Sequence, residues 1–152
     1  MPAVSRLIIC DYPHEFLYKI ILDIEKYPEF VPWCVDAKII TASSNKIEAD
    51  LKGAFKGFSY TYRSLVNFDY NKNESSVAAQ MIAGPFKFLH TKWQLKYLDE
   101  SRVQVKFDIE FEFHSFILEK IAKLSINKFT DEIMKAFLIR ASKLYDQKAN
   151  ID

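Results

Sequence analysis

Glycine is scarce in this chain, with three glycines and five prolines among 152 residues. The loops that cradle phosphates need closely spaced glycines, and neither the Gly-x-Gly-x-x-Gly nor the Gly-x-x-x-x-Gly-Lys pattern occurs. The chain also lacks repeats, low-complexity tracts and any linker-like segment. Because a chain of this length can bury the core of one domain, we expect a single domain over residues 1–152.

Cysteine and histidine are also sparse. Cys10 and Cys34 are too few for a disulfide framework or a zinc site, and they indicate a reducing compartment. The histidines, His14, His90 and His114, do not have the spacing of metal ligands, and no serine or cysteine lies in a recognisable nucleophile motif. We therefore expect a binding protein without catalytic residues, metal or cofactor.

Neither sign of charge is in excess, because 21 Lys and Arg residues face 20 Asp and Glu residues, for a net charge of +1. Nucleic-acid-binding proteins usually carry a basic excess, so the composition does not indicate one, although a local basic patch stays open. No apolar run reaches the ~18 residues of a membrane span, and the first residues do not resemble a signal peptide. We expect a cytoplasmic protein.

Aromatic residues are abundant, with 13 Phe and 8 Tyr. They are densest in residues 27–33, where Tyr27, Phe30 and Trp33 are interspersed with Pro28 and Pro32. Each proline lacks an N–H and disfavours helical geometry in the residue before it, so no regular helix is expected there. Because large apolar side chains are normally buried, the pattern predicts a stiff, irregular lid over a core or over a cavity.

The hydrophobic periodicity changes twice along the chain. It predicts a strand over residues 3–10 and an amphipathic helix over residues 13–24. Residues 35–114 alternate like about six antiparallel strands with one solvated face, and the remainder predicts one very long helix, interrupted near residues 125–127. We expect an α+β architecture in which a curved antiparallel sheet wraps around this helix and leaves a hydrophobic cavity.

Arg140 lies near the centre of the apolar stripe of the predicted C-terminal helix, one turn from Phe137. A buried guanidinium needs a partner, because an unpaired buried charge is costly. Arg140 could bind ligand oxygens, extend to solvent from a buried stem, or pair with a carboxylate of the sheet. The residues alone leave the three interpretations open.

Two other features also have an ordinary and a functional interpretation. The turn at residues 84–87 either simply joins two strands or places Phe86 and Lys87 at the rim of the concave face. The three carboxylates in residues 108–112 alternate with apolar side chains, so a solvated strand face is favoured over a catalytic cluster.

Four motifs occur in order along nearly the whole chain. They are residues 23–34; Gly84, Pro85, Phe86 and Lys87 with Leu89 and Trp93; Phe107, Phe111, Glu112, Phe113 and Ser115; and Ala136, Phe137, Arg140 and Ala141. Together they resemble the coenzyme Q-binding START-like proteins of the polyketide cyclase/dehydrase and lipid-transport superfamily. The resemblance implies a helix-grip fold of the START and Bet v 1-like type, in agreement with the periodicity.

The resemblance also implies a carrier that binds ubiquinone or a similar polyisoprenoid lipid and supports respiratory electron transport without catalysis. An apolar tail gains about 25 cal/mol per Å² removed from water, and Arg140 or a tyrosine hydroxyl would bind a head-group oxygen. Such a protein would visit the bacterial inner membrane transiently. The residues expected at the cavity and its rim are Tyr27, Phe30, Pro32, Trp33, Phe58, Tyr60, Tyr62, Gly84, Pro85, Phe86, Lys87, Phe107, Phe111, Phe129, Ile133, Phe137 and Arg140.

Two alternatives follow from the same resemblance. The family includes bacterial ribosome-association toxins, so the chain could bind a ribosomal subunit and block subunit joining. A cyclase-like enzyme that uses the cavity is the weakest alternative, because no acid–base pair is placed in it. The RNA contact of a ribosome-binding protein would need a basic surface. The C-terminal segment offers Lys120, Lys123, Lys128, Lys135, Lys143 and Lys148, but Glu119, Asp131, Glu132 and Asp146 dilute their charge.

Overall fold

The computed structural model describes residues 3–55 and 57–151, with the backbone alone at residues 55, 58, 117, 118, 121, 122, 124 and 149–151. Six strands separate a short N-terminal unit from a long C-terminal helix. The elements are β1 (Ala3–Cys10), α1 (His14–Leu22), a 3-10 helix (Ile24–Glu29), β2 (Cys34–Ala42), β3 (Lys46–Phe55), β4 (Phe58–Asp69), β5 (Glu74–Ala83), β6 (Phe86–Asp99), β7 (Arg102–Phe113) and α2 (Phe116–Ile151).

The seven strands form one antiparallel sheet in the order β1-β7-β6-β5-β4-β3-β2. Strands β2 to β7 follow one another as hairpins, and β1 pairs with β7 in continuous register from Ala3 opposite Glu110 to Cys10 opposite Val103. Register shifts interrupt the pairing of β2 with β3, β4 with β5 and β6 with β7, and such irregularities bend strands. The predicted curved antiparallel sheet is confirmed.

The core lies between the inner face of the sheet and the two helices. On β7, the alternation predicted from the sequence is confirmed, because Val103, Val105, Phe107 and Ile109 are all buried. Helix α2 packs against β1, β7 and α1, and its Phe137 is 5% exposed. The predicted α+β helix-grip architecture is therefore confirmed. No helix in the described part of the chain is long and apolar enough to cross a membrane.

Helix α2 runs without a break over Phe116–Ile151, so the interruption predicted near residues 125–127 is wrong. The segment contains neither proline nor glycine, the residues that usually break a helix. The polar residues near the expected break fit the helix instead. The buried Thr130 hydroxyl donates a 2.7 Å hydrogen bond to the carbonyl of Ile126.

Residues 24–33, which we call the lid, are more regular than predicted. No α-helix forms, as expected, but Ile24–Glu29 is a 3-10 helix that includes Pro28. The Phe30 N–H donates to the carbonyl of Tyr27 over 3.1 Å and closes the last turn. The prediction of an irregular segment over residues 27–33 is thus wrong for residues 27–29.

Candidate functional site

The lid meets α2 and the sheet through aromatic rings. Tyr27 and Phe30 contact Phe137 of α2 edge-on, at centroid distances of 5.5 and 5.0 Å. The ring centroid of Trp93 on β6 lies 4.9 Å from that of Phe137 and 4.3 Å from that of Phe107 on β7. Tyr27, Phe30, Trp93, Phe107 and Phe137 therefore form one continuous group, which we call the inner aromatic cluster.

Burial keeps two polar groups of this region in their neutral forms. The Tyr27 hydroxyl donates to the carbonyl of Ile21 at the end of α1, and its burial raises the pKa of Tyr27 far above the usual range. Burial likewise raises the pKa of the Cys34 thiol to about 11, so this cysteine is a neutral thiol at pH 7 rather than a nucleophilic thiolate. The Tyr27 hydroxyl and the Cys34 thiol are therefore both neutral at pH 7.

Trp33 ends the lid in an unusual backbone conformation. Its φ of 65° lies in the left-handed region, which is rare for a bulky residue and costs on the order of 1–3 kcal/mol. Its ring stacks on Phe129 of α2 at 4.6 Å, and its carbonyl accepts a 2.9 Å hydrogen bond from the Ala54 N–H of β3. The end of the lid thus contacts both the helix and the sheet.

Arg140 of α2 forms an ion pair with Glu29 of the lid, with 3.3 Å between Nη2 and Oε1. Its side chain is 14% exposed, and its guanidinium lies 5.0 Å from the centre of the Phe30 ring. Of the interpretations left open by the sequence, an ion pair is therefore found, but the expected partner on the sheet is wrong. Arg140 follows Phe137 by one turn, and the lid packs on Phe137, so the nearest carboxylate belongs to the lid.

A second aromatic group, which we call the second aromatic cluster, is contributed by β4, β6 and β7. Phe86 contacts Phe113 at 4.8 Å and Tyr60 at 5.4 Å, and Tyr62 and Phe111 complete the group. Burial raises the pKa of both tyrosines above its usual value, so their hydroxyls stay protonated at pH 7. These hydroxyls can donate hydrogen bonds inside an apolar surrounding.

The turn at residues 84–87 divides its side chains between the two sides of the sheet. Phe86 is buried, whereas Lys87 is exposed and lies 3.6 Å from Glu112. Gly84 has a φ of 155°, and a Cβ there would lie 2.6 Å from the Tyr62 Cβ. Only glycine fits this close approach to β4 without displacement of Tyr62.

The predicted site residues thus fall into a few neighbouring groups. The inner aromatic cluster contacts the Arg140–Glu29 pair through the Phe30 ring. The Trp33–Phe129 stack lies at the end of the lid. Pro32 and Ile133 are half-buried. Phe58 lies outside the described side chains. The sequence prediction missed Glu29 as the partner of Arg140, although its place between two prolines and beside Phe30 was the available signal. The structure brings four other predicted site residues into the second aromatic cluster, namely Tyr60, Tyr62, Phe86 and Phe111.

The outer face of the sheet carries a separate depression of about 510 Å³. Short residues such as Ser5 and Ala78 lie beside longer polar ones, including Lys92 and Asp108. It does not coincide with the predicted cavity, which is on the opposite face, where the aromatic rings contact one another. Among the described residues, no group of three His, Cys, Asp or Glu side chains is placed to hold a metal ion.

Comparison with known proteins identifies relatives over nearly the whole chain. Residues 10–138 match the family described as polyketide cyclase / dehydrase and lipid transport. The ribosome association toxin RatA of Rickettsia prowazekii is 30% identical over 146 residues, which are 95% of this chain and 99% of that protein. The mitochondrial coenzyme Q-binding protein coq10 of Schizosaccharomyces pombe is 29% identical over 145 residues, 90% of this chain and 84% of that protein.

Solved structures share the architecture at low sequence identity. The Zhui aromatase/cyclase from Streptomyces has a TM-score of 0.81 at 14% identity, covering 93% of this chain and 94% of that chain. A START superfamily protein from Mycobacterium smegmatis has a TM-score of 0.80 at 16% identity, covering 93% and 98%. At these identities the likeness establishes the fold alone, and the neighbours include enzymes as well as a START protein.

Proposed function

Because the chain belongs to the polyketide cyclase / dehydrase and lipid transport family, we propose that it binds ubiquinone or a similar polyisoprenoid lipid. The ligand lies between the inner face of the sheet and α2, under the lid. The protein acts as a carrier that supports respiratory electron transport, and it exchanges its ligand at a membrane surface. The similarity to a coenzyme Q-binding protein over 90% of the chain favours this class of ligand.

The observation that carries the proposal is the inner aromatic cluster. The lid meets α2 through the rings of Tyr27 and Phe30 on Phe137, contacts that an isoprenoid chain can replace with apolar contacts of its own. Each Å² of apolar ligand surface removed from water contributes about 25 cal/mol. Ring contacts are therefore exchanged for ligand contacts without exposing the core to water.

A carrier is favoured over an enzyme by the polar groups of the interior. The hydroxyl of Tyr27 is engaged with Ile21, and the Cys34 thiol is protonated because its pKa is raised to about 11. The described ion pairs near the lid include Arg140 with Glu29 and Lys26 with Glu29, which suit binding and positioning. A cyclase would need a proton donor and acceptor facing the substrate.

The test is to purify the protein from a bacterial host, extract it with organic solvent, and identify the released lipid by mass spectrometry. A polyprenyl quinone at near-stoichiometric amount is the expected result. Titration with decylubiquinone should also quench the fluorescence of Trp33 and Trp93. Protein that purifies empty and shows no quenching would contradict the proposal.

A matched pair of variants locates the ligand. Phe129→Ala removes a ring that stacks on Trp33 and should weaken decylubiquinone binding about tenfold, as expected for the loss of a large apolar contact. Phe116→Ala makes the same chemical change at a side chain that is 74% exposed, and it should leave binding unchanged. Equal effects of both substitutions would place the ligand elsewhere.

A ribosome-binding function is the second candidate, favoured by the similarity to ribosome association toxins. Six lysines along α2 are exposed. Glu119, Asp131, Glu132 and Asp146 lie on the same helix, and of these Asp131 forms an ion pair with Arg6 at 2.8 Å. Exposed lysines of this kind can contact RNA phosphates. The six lysines are Lys120, Lys123, Lys128, Lys135, Lys143 and Lys148.

Co-sedimentation with purified ribosomal subunits tests this candidate. Binding should weaken steeply between 50 and 200 mM salt, as phosphate contacts do. Lys128→Glu combined with Lys135→Glu should abolish it, and Lys19→Glu on α1 serves as the control charge reversal. Binding that is insensitive to salt or to the α2 substitutions would count against this function.

A further inference from the structure

We propose that Glu29 occupies the head-group position of the ligand site and is displaced from Arg140 when a ligand binds. This inference rests on the proposed function and assigns the recognition of the ligand's polar end. The ligand class is an amphiphile with an apolar tail and a head group that carries hydrogen-bond acceptor oxygens, such as quinone carbonyls. The carboxylate of Glu29 presents the same kind of oxygen to Arg140 from within the chain.

The guanidinium of Arg140 adjoins the surface that the tail would use. It lies 5.0 Å from the centre of the Phe30 ring, and that ring contacts Phe137 at 5.0 Å. A ligand whose tail replaces the Phe30–Phe137 contact therefore brings its polar end to Arg140. The apolar and polar parts of the proposed site are therefore adjacent.

Arg140 also has donors to spare. An arginine carries five N–H donors. Within residues 3–55 and 57–151, the guanidinium of Arg140 donates one hydrogen bond, to Glu29 at 3.3 Å. Its side chain is nevertheless only 14% exposed. A mostly buried guanidinium with one long hydrogen bond gains from a further acceptor, because unpaired donors in such a site are costly.

Glu29 can leave this pair at little cost. Half of its side chain is exposed, and its second oxygen lies 3.5 Å from Nζ of Lys26. After displacement, the carboxylate therefore keeps a cation and water as partners. Because Glu29 belongs to the lid, ligand binding at Arg140 also releases one of the contacts that close the lid on α2.

The test compares Glu29→Gln with Glu15→Gln. Glu15 lies on α1, is 61% exposed and pairs with Lys19 at 3.2 Å, so the control removes one carboxylate from a similar surface pair. Isothermal titration calorimetry measures the affinity for two probes, decylubiquinone and decylbenzene, which share a tail but differ in head-group oxygens. Glu29→Gln should bind decylubiquinone about threefold to fivefold more tightly, the factor expected for an ion pair of which one partner is half exposed, with little change for decylbenzene.

Arg140→Gln tests the other partner. It should remove most of the preference for decylubiquinone over decylbenzene, a ratio that a purely structural role of Arg140 would leave unchanged. Equal tightening of both probes by Glu29→Gln would overturn the proposal, because it would mean that Glu29 only closes the lid. An unchanged ratio in Arg140→Gln, or equal behaviour of the two Glu variants, would also overturn it. If the wild-type protein binds neither probe, the proposed lipid-binding function itself fails.

Discussion

The two faces of the sheet are built from the same strands but are held together by different forces. On the inner face, Phe107 and Leu95 are almost completely buried against the helices. On the outer face, the alternate positions form exposed polar contacts, such as the ion pair of Arg63 with Asp50 at 2.8 Å and the hydrogen bond between His90 and Glu110 at 3.2 Å. One face is stabilised by burial of apolar area, and the other by contacts that water and salt weaken.

This difference shows where substitutions should affect stability and where they should affect function. The inner face contributes both the core and the proposed ligand surface, so changes there alter stability and binding together. The lid is an intermediate case, because its rings are apolar but Glu29 and Arg140 connect it to α2 through an ion pair. Substitutions of Glu29 or Arg140 can therefore change ligand binding while the core stays intact.

The largest effect is expected from Phe107→Ala on the inner face. Phe107 is 2% exposed and contacts Trp93 at 4.3 Å, so the substitution leaves a cavity and should cost about 3–5 kcal/mol of the free energy of unfolding. Urea denaturation followed by circular dichroism measures it. A loss below about 1 kcal/mol would mean that the sheet and α2 are less tightly packed than these contacts indicate.

A smaller, pH-dependent effect is expected at His14, where α1 packs on the sheet. Burial lowers the pKa of His14, so below its usual value of about 6.5 the unfolded chain takes up a proton that the folded protein excludes. The free energy of unfolding should therefore fall between pH 7.5 and pH 5.5, and fall less in His14→Gln. The exposed His114→Gln serves as the control and should keep the wild-type dependence. Identical pH profiles for all three proteins would exclude this origin.

The smallest effect is expected from Asp50→Asn on the outer face. The hydrogen bond from Arg63 lowers the pKa of Asp50, so the pair stabilises the folded protein above about pH 4 and this contribution is lost as the pH falls. Because the pair is exposed, the difference between variant and wild type should also shrink in 1 M salt. Thermal unfolding at low and high salt measures it, and a large, salt-independent loss would show that the outer face is not solvated.

Much of the fold was predictable because alternation is a local signal. The burial of Val103, Val105, Phe107 and Ile109 follows from a two-residue period, and the long apolar stripe around Phe137 follows from a helical period. The break predicted near residues 125–127 was wrong because polar residues were taken as an interruption. A helix without proline or glycine can accommodate polar residues. The Thr130 hydroxyl, for example, donates a hydrogen bond to the carbonyl of Ile126 one turn earlier.

The candidate site was predictable only in part. The aromatic residues of the lid were identified by composition and by resemblance to a known family, but their partners were not. Trp93 and Phe137 lie far apart along the chain, and no local period connects them. The same holds for Arg140, whose partner was expected on the sheet and is found in the lid.

The sequence by itself determined which side chains are apolar, how they alternate and where the chain turns, because these properties depend on neighbours along the chain. Only the tertiary structure decided that Phe30 meets Phe137 and that Arg140 pairs with Glu29. Such contacts depend on how the sheet curves and how α2 lies against it. The lid was thus visible in the sequence as a cluster of rings and prolines, while the polar contact that joins it to α2 became visible only in three dimensions.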